Sequence, residues 1–153
     1  MTMFMETTQV EDVKTVAEVQ HLLARRGATS VMVEYKQGRV EGLAFRLTVG
    51  QADVPFRLPC RWSSVETLLR KAGRRPKRRG DTMEAWARRI AWRQILRWVE
   101  AQLALIETGM VKPEEVFLPY AIVGDGDSAR TIFQLMEEQQ FKALPAPKGE
   151  DHG

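Results

Sequence analysis

The chain contains few of the residues that build covalent or metal-bound frameworks. Its 153 residues include one cysteine, Cys60, which excludes an intrachain disulfide and favours a reducing compartment such as the cytoplasm. The two histidines, His21 and His152, have no further ligands at metal-site spacing, which argues against a zinc site. No stretch approaches the roughly 18 apolar residues of a membrane span, and residues 1–8 lack the basic flank of a secretory signal. We therefore expect a cytoplasmic protein without metal, cofactor or membrane partner.

Catalytic motifs are missing as well. There is no glycine-rich phosphate loop that ends in Lys and Ser or Thr, and no serine in a nucleophile elbow. The acidic loop at residues 124–128 lacks the later ligands of a calcium loop, and a turn followed by a helix cap explains it better. The triplet Glu34-Tyr35-Lys36 lies on the first predicted strand, whereas metal-dependent nucleases of similar element order carry such a triplet on the third. The sequence predicts no enzymatic activity.

Apolar and polar residues alternate over three successive segments, residues 31–36, 43–49 and 54–58. Short loops separate the segments, which predicts an antiparallel meander with one buried face. Pro55 and Pro59 place the third strand at an edge of the sheet, because proline cannot donate to a strand ladder.

Helix starts are predicted where a capping residue is followed three positions later by Glu, since the two can satisfy free backbone amides reciprocally. This pattern occurs at Thr15 with Glu18, at Ser63 with Glu66 and at Asp81 with Glu84. Each predicted helix is followed by a glycine that can end it, and the three helices cover residues 16–26, 64–72 and 82–108. Ser128 is expected to cap a last helix that reaches residue 141.

Together these elements predict an α+β fold. A three-stranded antiparallel meander is flanked by helices in the order α-β-β-β-α, and a long helix and a small C-terminal helical unit follow. One domain is expected over residues 10–143, with a flexible N-terminus at residues 1–9 and a basic hinge at residues 73–80. Residues 144–153, rich in Pro and Gly, are expected to form a disordered tail.

Positive charge is concentrated in one part of the chain. Residues 57–97 hold 13 of the 23 Lys and Arg residues and 3 of the 20 Asp and Glu residues, so this window carries a formal +10 and the remainder −7. Such a density of cations is most favourable against a polyanion or in free solution. The long helix adds an arginine stripe, formed by Arg89, Arg93 and Arg97, that can follow a phosphate backbone. Trp86 begins the same stripe and is available to stack on a base. The candidate nucleic-acid-binding residues are Arg70, Lys71, Arg74, Arg75, Lys77, Arg78, Arg79, Trp86, Arg89, Arg93 and Arg97.

Simpler interpretations of the same residues stay open. The stripe can be a solvated helix face, with Arg97 paired to Glu100, and the hinge can be a disordered loop whose charge keeps it soluble. Trp62 and Trp86 can pack at the edge of the core rather than stack on bases.

Two resemblances bear on the function. The element order is that of double-stranded-RNA-binding domains, but Ser63-Ser64-Val65-Glu66 stands where those domains carry a Lys-Lys-x-Ala-Lys cluster. The segments AWR (91–93), WVEAQLALIE (98–107) and EVFLPY (115–120), after a meander that ends in FRLP (56–59), resemble a family of small uncharacterised proteins encoded by bacterial phages and prophages. This resemblance covers about residues 10–140. It implies a mobile-element setting in the bacterial host cytoplasm and no particular reaction.

The sequence favours a non-enzymatic nucleic-acid-binding accessory protein of phage or mobile-element origin, with DNA as the expected ligand. The choice between DNA and RNA, and between single and double strands, stays open. The alternative is a protein–protein interaction module, such as an inhibitor, adaptor or assembly subunit, that docks on an acidic partner or self-associates. Apolar surface around Trp62, Phe117 and Tyr120 would then anchor the partner.

Overall fold

The computed structural model describes residues 2–145, and the predicted tail lies outside this range from residue 146 onward. The elements confirm the α+β fold: a three-stranded antiparallel sheet flanked by helices, then a long helix and a small C-terminal unit. In chain order they are α1 (Asp12–Arg25), β1 (Ser30–Lys36), β2 (Arg39–Val49), β3 (Ala52–Pro59), α2 (Trp62–Lys71), α3 (Met83–Glu107), α4 (Pro113–Phe117), β4 (Ile122–Val123), β5 (Arg130–Thr131) and α5 (Ile132–Glu138).

The sheet has the order β1-β2-β3, so the proline-containing strand lies at an edge as predicted. In the register of β2 and β3, Phe45 lies opposite Phe56, and their rings stack with centroids 5.4 Å apart. Phe117 from α4 packs edge-on against Phe45. From Phe45 onward in β2 and from Phe56 onward in β3, buried residues alternate with more exposed ones, because successive side chains point to opposite faces of the sheet.

Helix α3 is the central element of the packing. Trp92, Leu96 and Val99 are almost completely buried in the main core with the inner face of the sheet and of α1. Towards its N-terminus, Trp86 and Ile90 form a second, smaller cluster with Leu69 of α2. Because α3 is covered by α1, α2 and residues 2–11, here called the N-terminal segment, the face on which the arginines were predicted is largely buried as well.

Two predicted helix starts are wrong. Helix α1 begins at Asp12, and Thr15 is fully buried inside it, where its hydroxyl accepts a hydrogen bond from Arg93 Nη1 at 3.4 Å. Helix α2 begins at Trp62 without a side-chain cap, so Ser63 lies within its first turn. The Thr15 and Ser63 patterns match capping boxes, but earlier residues already adopt helical backbone.

The other two helices begin close to the predicted place but use a different cap. Thr82 caps α3 by accepting the amide of Ala85 at 3.0 Å, so the predicted cap, Asp81, is left to bind elsewhere. Thr131 caps α5 in a reciprocal box with Gln134, whereas Ser128 lies in the preceding turn. The last helix is therefore shorter than expected, ending at Glu138 rather than at residue 141.

Candidate functional site

The predicted arginine stripe of α3 is largely an interior feature. Trp86, Arg89 and Arg93 are only 7%, 3% and 8% exposed, so the structure removes them from the candidate surface. Trp86 belongs to the smaller core cluster, and its Nε1 donates to the backbone carbonyl of Glu6 at 2.9 Å. A helical period shows which residues share a face, but it does not show whether another segment covers that face.

The arginines Arg89 and Arg93 are neutralised by carboxylates that lie outside α3. Arg89 donates two hydrogen bonds to Asp81, and Arg93 Nη1 donates to Glu18 Oε2 at 2.8 Å. The fork of Arg89 holds the pKa of Asp81 below its ordinary value, and Asp81 in turn raises the pKa of Arg89. These groups form internal ion pairs, so much of their charge is neutralised within the fold.

Arg88 is buried in the same way, on another side of α3. It donates to Glu41 at 2.9 Å, to Glu84 at 3.1 Å and to the carbonyl of Val40 at 3.0 Å. Its guanidinium also lies 4.2 Å from the ring centroid of Trp62, a cation–π contact. Trp62 therefore packs at the edge of the core, where its simpler interpretation placed it.

Arg97 remains exposed but has a local partner, since its Nη1 donates to Glu100 at 2.8 Å. This pair matches the solvated-face interpretation of the stripe. Exposed pairs of this kind contribute little to stability.

The predicted hinge, residues 73–80, is here called the basic loop, and ion pairs connect it to the N-terminal segment. Arg74 Nε lies 3.5 Å from Glu6 Oε1, and Arg78 donates to Glu11. Residues 2–9, expected as a flexible terminus, pack on α3 through the Glu6 carbonyl and through the Phe4 carbonyl, which accepts from Gln94. The loop and the N-terminal segment thus hold each other in position.

Four cations of this region remain without a hydrogen-bond or ion-pair partner in residues 2–145. All four are exposed, and they lie within nine consecutive positions at the end of α2 and along the basic loop. Neighbouring Arg70 is exposed too, although it pairs with Glu66 at 2.7 Å. The four unpaired cations are Lys71, Arg75, Lys77 and Arg79.

The apolar anchors of the alternative function are mostly unavailable to a partner. Phe117 is completely buried among Phe45, Phe56 and Trp98. Tyr120 is half-buried and packs edge-on against Trp98, with the ring centroids 5.7 Å apart. These residues form part of the core rather than a recognition surface.

A wide cleft of about 930 Å³ lies between the β1–β2 hairpin and the start of α2, but its carboxylates are all paired. Glu34 binds Arg57 at 3.0 Å, and Glu41 and Glu84 both bind Arg88. Burial raises the pKa of Cys60, which also lines the cleft, to about 12, so its thiol stays protonated and weakly nucleophilic. Nowhere in residues 2–145 do three or more His, Cys, Asp or Glu side chains gather in a way that could hold a metal.

Few local signals identify the acidic residues that hold the basic loop and α3 in position. Glu6, Glu11 and Glu18 provide carboxylates for Arg74, Arg78 and Arg93, across separations of about seventy residues. The only local signal is an excess of acidic residues near the N-terminus, which does not identify their partners.

No protein-family model, curated protein or solved structure matches this chain. The likeness to phage and prophage proteins therefore stays an expectation. Within residues 2–145, no helix has both the length and the apolar character needed to cross a bilayer.

Proposed function

We propose that the protein binds the sugar–phosphate backbone of nucleic acid, DNA in the first place, as a non-enzymatic accessory protein of a phage or mobile element. The observation that supports this most directly is the group of four unpaired cations, Lys71, Arg75, Lys77 and Arg79. Like charges this close together along the chain repel one another, and a polyanion relieves that repulsion. Backbone contacts of this kind give affinity without reading the base sequence.

The ion pairs of the basic loop strengthen this proposal. Arg74 and Arg78 fix the loop to the N-terminal segment, so the neighbouring cations Arg75, Lys77 and Arg79 project from an ordered support. An ordered loop loses less conformational entropy on binding than a disordered one does. This favours a binding surface over a loop whose charge serves only solubility.

The burial of Arg89 and Arg93 makes the proposed surface smaller than the sequence suggested. If the four unpaired cations each engage one phosphate, the logarithm of affinity for duplex DNA falls with a slope of about −3.6 against the logarithm of salt concentration. Between 50 and 200 mM salt, affinity then falls by roughly 100-fold.

The test is fluorescence anisotropy with labelled single- and double-stranded DNA and RNA, over that salt range. A variant with Lys71, Arg75, Lys77 and Arg79 all replaced by Gln is compared with a control variant. The control loses the same net charge at four exposed cations elsewhere, namely Lys14, Arg25, Lys36 and Arg39.

We expect the loop variant to lose most of the affinity and most of the salt slope, because both depend on the number of phosphates neutralised. The control should retain the greater part of both. Equal losses in the two variants would show that net charge alone drives binding, and no binding of any of the four ligands would exclude the proposal. Light scattering on the same samples tests the interaction-module alternative. That alternative predicts an oligomer whose mass does not change when oligonucleotide is added.

A further inference from the structure

A small pocket lies where the N-terminal segment meets the basic loop, above the start of α3. Its volume is about 270 Å³, just below the range of about 300–1,000 Å³ typical of small-molecule sites. Both segments that enclose it are held by the Glu6–Arg74 and Glu11–Arg78 ion pairs, and the buried ring of Trp86 forms part of its wall. The pocket is thus a product of the tertiary structure, not of any one segment.

Two buried charged side chains in the lining have unused hydrogen-bonding capacity. Glu6 is 7% exposed, and its Oε2 has no hydrogen-bond partner in residues 2–145. Arg89 is 3% exposed, and the same holds for its Nε. A buried polar atom without a partner costs about 1–3 kcal/mol. Arg89 Nε is a donor that an anion can satisfy, whereas Glu6 Oε2 is an acceptor that needs a donor, so only the Arg89 atom points to an anionic ligand.

The charge of the lining indicates the class of ligand. Five cationic side chains and two carboxylates line the pocket, a formal +3. Arg74, Arg78 and Arg89 already have carboxylate partners, whereas Arg75 and Lys77 have none within residues 2–145 and can bind an anion without losing a contact. A group with close to two negative charges and three acceptor oxygens suits this lining better than one with a single charge.

We propose that this pocket binds a phosphomonoester, the group shared by the 5′-phosphorylated end of a nucleic-acid strand and by a free nucleoside monophosphate. A phosphomonoester carries about −1.5 to −2 charge at pH 7 and three strong acceptor oxygens, whereas each internal phosphodiester carries a single charge. An internal phosphodiester also needs room for the strand to continue on both sides, and a pocket of about 270 Å³ offers less of that room than an open groove does. The inference deepens the proposed function by assigning a preference for strand ends, although a free nucleotide would satisfy it without nucleic-acid binding.

The experiment compares two 3′-labelled single-stranded DNA oligonucleotides of identical sequence, one with a 5′-phosphate and one with a 5′-hydroxyl. We expect the phosphorylated strand to bind the full-length protein about tenfold more tightly, because it adds charge-assisted hydrogen bonds inside the pocket. A double variant, Arg75→Gln with Lys77→Gln, should bring that ratio close to one.

The matched control is Lys71→Gln with Arg79→Gln, which also removes two unpaired cations of the basic region but none that line the pocket. We expect it to weaken binding of both strands equally and to leave the ratio unchanged. All four positions are exposed, so neither variant should unfold the protein.

Calorimetry with a nucleoside 5′-monophosphate, and with inorganic phosphate for comparison, separates the two sources of the ligand. If the nucleotide binds as tightly as the phosphorylated strand, the pocket is a free-nucleotide site. If the nucleotide binds much more weakly than that strand, the pocket recognises strand ends. If neither strand binds while the nucleotide does, the pocket stands and the proposed backbone surface fails. Equal binding of the two strands together with no binding of the nucleotide would overturn the inference.

Discussion

Arginine in this protein has two distinct environments on one helix. Arg88, Arg89 and Arg93 are buried against carboxylates, whereas Arg97, one turn beyond Arg93, stays in solvent. A buried ion pair stabilises a fold little relative to apolar side chains, but removing one partner leaves an uncompensated charge in the interior. The carboxylates that face these arginines are therefore more sensitive positions than the arginines of the exposed loop.

We expect Asp81→Asn to lower the free energy of unfolding by about 3 kcal/mol, because it leaves the Arg89 guanidinium buried without an anion. Urea denaturation followed by circular dichroism measures the change. Asp53→Asn is the control, since Asp53 pairs with Arg46 at 3.6 Å with both side chains about half exposed. The control should cost less than about 1 kcal/mol, and an equal cost in both variants would contradict the burial argument.

The Asp81–Arg89 pair also predicts how the stability of the protein depends on pH. Arg89 lowers the pKa of Asp81 from 3.8, so the stability that Asp81 contributes is fully present above about pH 4 and is lost as the pH falls through its folded-state pKa. The difference in unfolding free energy between the natural protein and Asp81→Asn should therefore be largest at pH 6 and shrink below about pH 3.8. Denaturation curves at pH 6, 4 and 3 measure it, and a difference independent of pH would argue against an ion pair.

At the scale of helices and strands, local patterns gave the type of each element more reliably than its first residue. The glycines after α1, α2 and α3 adopt positive φ angles of 101°, 66° and 77°, the left-handed conformation in which a glycine ends a helix. The starts were less well predicted, because none of the four residues predicted as caps, Thr15, Ser63, Asp81 and Ser128, caps a helix in the structure.

The difference between a residue that caps a helix and one that only matches a capping pattern predicts unequal effects of two similar substitutions. Thr82→Ala should lower the free energy of unfolding by about 1 kcal/mol, because it removes the acceptor for the Ala85 amide at the start of α3. Ser63→Ala should change it by no more than about 0.5 kcal/mol, since Ser63 is exposed in the first turn of α2 and caps nothing. Thermal denaturation of both variants tests the assignment, and a larger loss for Ser63→Ala would contradict it.

At the scale of the whole molecule, the N-terminal segment connects the charged and apolar parts of the fold. Its backbone accepts from Trp86 and Gln94, and its carboxylates bind the basic loop. Without it, the smaller core cluster would lose its cover and the proposed phosphate pocket would lose one wall.

Deletion of residues 2–9 should therefore lower the free energy of unfolding by about 1.5–3 kcal/mol or more, since burial of one large apolar side chain contributes that much. It should also shift tryptophan fluorescence to longer wavelength as Trp86 becomes hydrated. Phe4→Ala is the control, because the Phe4 ring is 62% exposed and the substitution keeps the backbone carbonyl that accepts from Gln94. Unchanged stability and fluorescence after deletion would show that the segment is dispensable.

Features that depend on neighbours along the chain could be derived from the amino-acid order. The alternation around Phe45 and Phe56, the prolines of the edge strand and the glycines after the helices led to the correct α+β fold, because strand alternation and helix termination are local properties. The concentration of cations around the basic loop was evident for the same reason.

The environment of each charge was decided only when distant segments met. Arg93 is buried because α1 brings Thr15 and Glu18 against it, and Arg89 because Asp81 leaves its expected capping role to bind it. Arg75 and Lys77 keep their charge available because no carboxylate reaches them within residues 2–145. Burial and ion pairing depend on which surfaces pack together, and residues about seventy positions apart carry no local sign of that contact.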